Sequence, residues 1–402
     1  MIRIFIALAI ALAVTVAAPG QEAEREPFEA WASEFEARLL DRGVDEAIAD
    51  SMMDGLEPDP RIIERDSSQP EFVRPLWDYL AGAASDARVD NGLAAQQEHA
   101  AALAVVTDAY DVDPAILTAI WGLESAYGAI QGDFDVVRSL ATLAWEGRRR
   151  GFAEAQLFAV AEMIARGHAA RDDLKGSWAG AMGQTQFIPT TYLERAVDMT
   201  GDGRIDIWED EADALGSAAN LLTEAGWDGG APVAFEVALP DDFDYAAWSP
   251  ARRRAASAWA LDGVDLAEGE WAADDLYRSG RILIPAGAQG PAFMVFSNFD
   301  ALLRYNNSTA YALGVTYLAK RLSGEADLPD GWPEDDIPLT RTQARELQEG
   351  LAELGYDPGG VDGMIGPNTR AALREFQRAN AITPDGYAGM RMYEAVLAAR
   401  DG

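Results

Sequence analysis

The sequence predicts an α+β protein that is mainly helical, on three observations. Apolar residues recur at helical spacing through most of the chain, and two short alternating or β-rich runs broken by Pro and Gly stand at 232–239 and 281–297. A last helical piece follows an acidic, proline-bearing segment. The chain has 402 residues, 49% of them hydrophobic, enough for a sizeable core and roughly two or three domains. Its 67 acidic against 32 basic residues give a formal net charge of −35. Such a surface repels nucleic acid and anionic lipid, so no nucleic-acid partner is expected. The absence of cysteine excludes disulfides, thiol nucleophiles, thiolate metal sites and a lipidated cysteine.

Met1-Ile2-Arg3, the apolar run 4–16 and Ala17-Ala18-Pro19-Gly20-Gln21 have the charged, apolar and small-residue parts of a secretory signal over residues 1–20. The run is shorter than the ~20 residues that span a bilayer. A periplasmic protein with no transmembrane segment after signal cleavage is expected.

From Phe28 to Tyr110 the pattern is helical, with Phe28, Trp31, Phe35 and Leu39 on one face and a second apolar series from Leu93 to Val106. The two histidines, His99 and His168, lie apart in Ala-rich helical text and suggest packing or surface roles rather than a zinc site. Asp113 as N-cap and Pro114 at N1 open a helix that carries Ile116, Leu117, Ile120 and Trp121 and stops near Gly128. Glu124 falls in its last turn, where the macrodipole is negative and the apolar neighbours offer little water. Both effects disfavour the charged form, which suits a general acid, and Glu124 is the candidate catalytic residue.

The text 132–135 reads as a turn. Arg148-Arg149-Arg150 after it suits either a cleft that holds substrate carboxylates or a solvated helix face. From Ser177 to Pro189, small residues let backbone approach a ligand closely, and Gln184 and Gln186 supply uncharged amide donors and acceptors. Neutral amides and hydroxyls, as on an N-acetylated sugar, are what such a stretch grips. Asp198, Thr200, Asp202, Gly203, Asp206 and Glu209 fall at positions 1, 3, 5, 6, 9 and 12 of an EF-hand loop, with the Arg204 carbonyl at position 7. Structural calcium is the expected cofactor, and Asp213 competes with Glu209 for the closing position.

Residues 248–261 look helical, and Arg304-Tyr305-Asn306-Asn307-Ser308-Thr309-Ala310-Tyr311 sets polar groups and tyrosines ahead of a helix reaching Leu322. Residues 323–338, with three prolines and six acids, read as an extended, self-repelling linker. Thr340 with Gln343 then forms a capping box for a helix carrying Leu347, Leu351 and Leu354, followed by Gly- and Asp-rich turns, a helix from Pro367 and a last short helix. Residues 339–400 are expected to be a separate small domain.

Four ordered motifs now carry a resemblance: Gly-Leu-Glu-Ser-Ala-Tyr-Gly, Ser-Trp-Ala-Gly-Ala-Met-Gly-Gln-Thr-Gln-Phe-Ile-Pro, Asp-Met-Thr-Gly-Asp-Gly with Asp-Ile-Trp, and Arg-Tyr-Asn-Asn-Ser. Over 28–322 the chain resembles the lytic murein transglycosylases of the B type. The C-terminal piece, with Val-Asp-Gly and Gly-Pro-Asn-Thr-Arg-Ala-Ala-Leu, resembles the three-helix peptidoglycan-binding domain. The resemblance implies a lysozyme-like catalytic domain with a small β subdomain. It implies Glu124 as sole acid and base, and Ser177, Met182, Gln186 and Tyr305 lining the sugar subsites, with Arg148 and Arg149 near the cleft. Calcium would be held by Asp198, Thr200, Asp202, Arg204 and Asp213. The family pattern sets Asp213 one residue nearer the loop than it stands here, so Glu209 stays in competition. Leu221, where relatives can carry a tyrosine, is given no role. The partner implied is the peptidoglycan glycan strand, cut between N-acetylmuramic acid and N-acetylglucosamine to leave a 1,6-anhydromuramoyl end. A hydrolytic muramidase and a noncatalytic wall-binding protein are the competing readings. Retention of Glu124, Ser177, Gln186 and Tyr305 together argues against the second.

Overall fold

Helix-forming signals in the sequence are met by helices nearly throughout the computed structural model, which describes residues 26–67 and 74–402. The signal expected at 1–20 lies outside the described residues. Contacts divide the chain into two compact units that do not follow chain order. Among the described residues the first comprises 26–67, 86–225 and 305–307, the second 74–85, 226–304 and 308–402.

In the first unit the aromatic stripe forms the helix Phe28–Asp41, which buries Phe28, Trp31, Phe35 and Leu39. The stripe packs with Val136, Leu140 and Leu143 of helix Val136–Glu146 and Leu157 and Val160 of helix Arg150–Ala165 in one core. The second apolar series divides at His99 into helices Asp86–Glu98 and Ala100–Tyr110. Val106 is buried there while Leu93 stays exposed. The expected turn at 132–135 is in part a strand, β1 (Phe134–Asp135), which pairs antiparallel with β2 (Lys175–Gly176).

The second unit holds an antiparallel sheet of β3 (Ala234–Ala238), β4 (Arg254–Ala255), β5 (Asp265–Leu266), β6 (Ser279–Leu283) and β7 (Ala292–Val295), in the order β4-β6-β7-β3-β5. Both β-rich runs therefore pair, with Ala234 opposite Val295 and Ile282 opposite Met294. The helix expected over 248–261 shortens to Ala256–Ala260. Pro250 lacks a backbone donor and Arg254 is drawn into the sheet opposite Gly280, so only the residues beyond it coil.

Ser323 closes the helix Thr309–Ser323, and residues 324–338 carry no helix, yet they are not the extended, self-repelling segment the charge suggested. Trp332 packs against Trp77 and Phe293 at ring separations of 6.0 and 6.3 Å. Buried Asp336 accepts from the Arg391 backbone N–H at 2.9 Å. Aromatic burial and a hydrogen-bonded carboxylate outweigh the repulsion of the remaining exposed acids. Beyond it, Thr340 and Gln343 make the capping box in both directions at the start of helix Arg341–Glu353. Leu347 and Leu351 pack with Leu373 and Phe376 of helix Pro367–Ala379 and Val396 of helix Met390–Asp401. Two buried glutamines clamp the Asp-Gly turns: Gln348 accepts from Asp362 and Gly363 N–H, and Gln377 accepts from Gly386 N–H while donating to Asp385.

Candidate active site

Asp113 accepts from Ala115 N–H at 2.7 Å and Pro114 takes the first position, so the helix Pro114–Ser125 starts where the local signals place it. It ends earlier than the glycine suggested: Ala126, Tyr127 and Gly128 are all left-handed, with φ of 51°, 62° and 82°. Two non-glycine residues hold that strained conformation because the Tyr127 side chain is fixed. Its ring covers Gly122, where a Cβ would fall 2.6 Å from ring carbons, and its hydroxyl donates to the Arg88 carbonyl at 2.6 Å. Burial pushes the Tyr127 phenol up to about 12. The Arg88 guanidinium donates in turn to the Gly122 carbonyl, which ties the last turn down. Glu124 lies in this turn, 3% exposed, with Trp121 fully buried behind it.

Tyr305 ends the helix Ser297–Tyr305, and with Asn306 and Asn307 it belongs to the first unit. Its hydroxyl donates to the Thr185 carbonyl at 2.8 Å, and its ring meets Phe187 edge-on at 6.2 Å. Burial of the hydroxyl, together with the facing Glu124 carboxylate, holds the Tyr305 phenol well above its ordinary range. Glu124 and Tyr305, 181 positions apart by their numbers, are thereby electrostatic neighbours.

The 177–189 stretch folds back on itself through bridges of Met182 to Gly176 and to Phe187. Ser177 is half-buried and its Oγ accepts from Ala181 N–H at 3.0 Å. Met182 has no exposed surface and packs into the core of the first unit, supporting this stretch from beneath rather than presenting its side chain. Gln186 is left-handed at φ 52°, and its amide donates to the Gln131 and Gly183 carbonyls at 3.0 and 2.9 Å. Gln131 and Gln184 both donate to the Trp208 carbonyl, at 2.9 and 3.2 Å. This network joins the segment after Glu124, the glutamine turn and the acidic loop. Gln131 carried no sequence signal, because nothing local distinguishes a glutamine that will bond 77 residues away.

Arg148 and Arg149 both grip the buried carboxylate of Asp66 in helix Pro60–Ser67, Arg149 at 3.1 Å, and Arg149 also lies over the Trp178 ring at 6.0 Å. Arg150 pairs with Glu26 and Glu154. Neither reading of the arginine run anticipated this: the three cations have internal carboxylate partners.

In the acidic loop, Asp198 accepts from Gly201 and Gly203 N–H at 2.6 and 2.8 Å, and Asp202 from Arg204 N–H at 2.8 Å. Thr200 donates to Asp198, and Asp206 pairs with the Arg204 side chain at 3.0 Å. Asp213, 1% exposed, accepts from Met199 N–H at 2.7 Å and Asp206 N–H at 2.8 Å, so one carboxylate ties both ends of the loop. Burial pushes Asp213 up. Glu209 is exposed. Among the described residues no three acidic or histidine side chains converge as a metal cluster. The donor set is nonetheless all hard oxygen at calcium spacing, so the residues fit the ion by chemistry.

Comparison with known proteins shows the family. The transglycosylase SLT domain model matches residues 27–320, and the putative peptidoglycan binding domain model matches 340–396. The membrane-bound lytic murein transglycosylase B of Escherichia coli strain K12 is 32% identical over 243 residues, 58% of this chain and 64% of that protein's length. A crystal structure of SltB3 from Pseudomonas aeruginosa in complex with NAG-NAM-pentapeptide is 46% identical, covers 92% of this chain and all of that one, and superposes with a TM-score of 0.89. An Escherichia coli lytic transglycosylase in complex with calcium is 26% identical over 73% of this chain and 92% of that one, with a TM-score of 0.62.

Proposed function

Because the chain belongs to the transglycosylase SLT domain family, we propose that it cleaves the β-1,4 bond between N-acetylmuramic acid and N-acetylglucosamine in peptidoglycan strands, without water, in cell-wall remodelling or turnover. The observation that carries this reading is the setting of Glu124, a carboxyl 3% exposed in an apolar helix turn and facing the Tyr305 phenol, which is what a general acid needs.

A glycosidase with two carboxylates uses the second as nucleophile or to activate water. With Glu124 alone, the substrate supplies the missing group. Glu124 gives its proton to the departing glycosidic oxygen as the C1–O bond breaks, and the muramic acid N-acetyl oxygen bonds to C1. Glu124, now a carboxylate, takes the proton of the C6 hydroxyl, whose oxygen attacks C1 and expels the N-acetyl oxygen. Ser177 and Gln186 hold the N-acetyl and hydroxyl groups, Met182 supports their turn, and Tyr305 fixes the Thr185 carbonyl beside them. Arg148 and Arg149 act through Asp66 and Trp178.

The 198–213 loop is proposed to bind one structural calcium through Asp198, Thr200, Asp202, the Arg204 carbonyl and Asp213, a reading supported by the calcium in the Escherichia coli relative. Residues 339–400 bind wall without cutting it. No helix of the described residues is long and apolar enough to cross a membrane, and the proposed location is the periplasm.

Digesting sacculi in heavy-oxygen water tests the activity. The expected product is a 1,6-anhydromuramoyl end without label, about 18 mass units lighter than a hydrolytic end. Label at a reducing terminus makes the protein a muramidase instead.

A further inference from the structure

Gln131 lies outside every motif that the sequence singled out, yet it is bonded to three of them. Its amide donates to the Gly128 carbonyl at 3.3 Å and to the Trp208 carbonyl at 2.9 Å, so one side chain ties the end of the Glu124 motif to the acidic loop. The backbone beside it has no slack. At the next residue, Gly132, φ is 95° and a Cβ would fall 2.2 Å from the Gly176 carbonyl oxygen, an approach that only a glycine allows. The Gln131 carbonyl is thereby held in place, and it accepts from the Gln186 amide of the glutamine turn at 3.0 Å.

Gln186 shows what that carbonyl does. Its amide nitrogen carries two N–H groups, and both are engaged, one by Gln131 and the other by the Gly183 carbonyl at 2.9 Å. Two carbonyls at one end of an amide identify that end as the nitrogen, because an oxygen there would face acceptors only. Gly183 is fixed in turn: its φ is 70°, and a Cβ would fall 2.6 Å from the Ile207 carbonyl oxygen. The Gln186 oxygen is different. No donor reaches it among the described residues, and it is not enclosed, although the residue as a whole is only 7% exposed. Gln186 also keeps φ 52°, a left-handed conformation that a non-glycine residue holds only where its surroundings over-determine it.

Resting on the activity proposed above, we propose that Gln131 is a positioning residue: by engaging the Gln186 nitrogen it turns the amide oxygen outward, so that Gln186 accepts a hydrogen bond from a donor group of the glycan and cannot give one. The side chain of Gln131 anchors its own backbone on Gly128 and Trp208, and the backbone carbonyl then sets the polarity of Gln186. With that anchor gone, the Gln186 amide is free to rotate and present its nitrogen, the wrong polarity for a donor. Gln131 touches no reacting atom, and its whole effect passes through Gln186.

The intact protein tests the bonding first. In nuclear magnetic resonance of the glutamine side-chain amides, the pair that Gln186→Ala removes is expected to exchange both protons with solvent at least about tenfold more slowly than exposed glutamines do. Fast exchange of either proton overturns the proposal, whether or not any variant folds. Gln131→Met keeps the length of the side chain and removes its donors. On soluble glycan fragments it is expected to lower kcat/KM about tenfold, and by less than about twofold in a Gln186→Ala background, where nothing is left to position. Equal losses in the two backgrounds mean a scaffold role and overturn the proposal, as does an unchanged kcat/KM in the single variant. An intact protein that cuts no fragment overturns the activity instead. Gln186 amide exchange that is slow in the intact protein and fast in Gln131→Met then still supports the positioning, and equal rates overturn it.

Discussion

The Tyr305 hydroxyl reaches across 120 positions of sequence to donate to the Thr185 carbonyl at 2.8 Å, while the same phenol faces the Glu124 carboxylate. Removing the hydroxyl leaves a buried carbonyl unsatisfied, at a cost of about 1–3 kcal/mol. Tyr305→Phe is expected to lower the melting temperature by a few degrees and kcat about tenfold through loosening of the glutamine turn. Because the Tyr305 phenol is held well above its ordinary range, it stays protonated over about pH 4–9. The variant's pH–rate profile should therefore keep the parent shape, and a lost alkaline limb would assign Tyr305 a proton-transfer role instead.

Glu124→Gln preserves volume and removes the titratable proton. Loss of wall solubilisation by at least ~10²-fold with an unchanged circular dichroism spectrum is expected, since one positioned acid contributes about 10² to 10⁴ in rate. Normal clearing of sacculi by this variant would remove Glu124 from the mechanism.

Glu154 sets a pH limit on folding. Burial pushes its carboxyl up, but hydrogen bonds from Arg38, Arg150 and Trp31 prevail and hold it at about 2. A folded value below the unfolded one means stability that is present above about pH 4.5 and lost as pH falls toward about 2. With Arg38 and Arg150 partly exposed and screened, the contribution is on the order of 2 kcal/mol. Glu154→Gln should be less stable than the parent at pH 7 by about this amount, with the gap closing in acid. Urea titrations at several pH values check it.

Calcium decides between Asp213 and Glu209. At 100 times its dissociation constant the ion stabilises by about 2.7 kcal/mol, which a melt with and without chelator detects. Asp213→Asn should abolish the calcium shift and Glu209→Gln retain it, because Asp213 already ties Met199 to Asp206 while Glu209 is exposed. The reverse pattern would move the closing ligand to Glu209.

Removing residues 339–402 should weaken sacculus binding and leave cleavage of soluble fragments nearly unchanged. It should also lower the melting temperature, since Asp385 accepts from Ala288 N–H at 2.9 Å and Arg391 pairs with Asp335 at 2.6 Å. Loss of cleavage on soluble fragments in a folded truncation would assign the C-terminal helices a part in the reaction.

Sequence alone determined what short-range chemistry controls. Asp113 and Pro114 start the Glu124 helix, Thr340 and Gln343 close a capping box, and the aspartates of 198–213 are spaced for one loop, because each signal acts within a turn or two of its own residue. Hydrophobic period likewise marked the Trp31 and Phe35 stripe as core. Tertiary structure decided the rest. It chose Asp66 for Arg148 and Arg149, paired Phe134 with Gly176, packed Trp332 against Trp77, and held Ala126 and Tyr127 left-handed around Gly122. Each of these joins residues whose approach depends on how the whole core closes, apart from the left-handed turn, which needs the distant Arg88 carbonyl to hold Tyr127. Local propensity cannot specify a partner that only burial brings within reach.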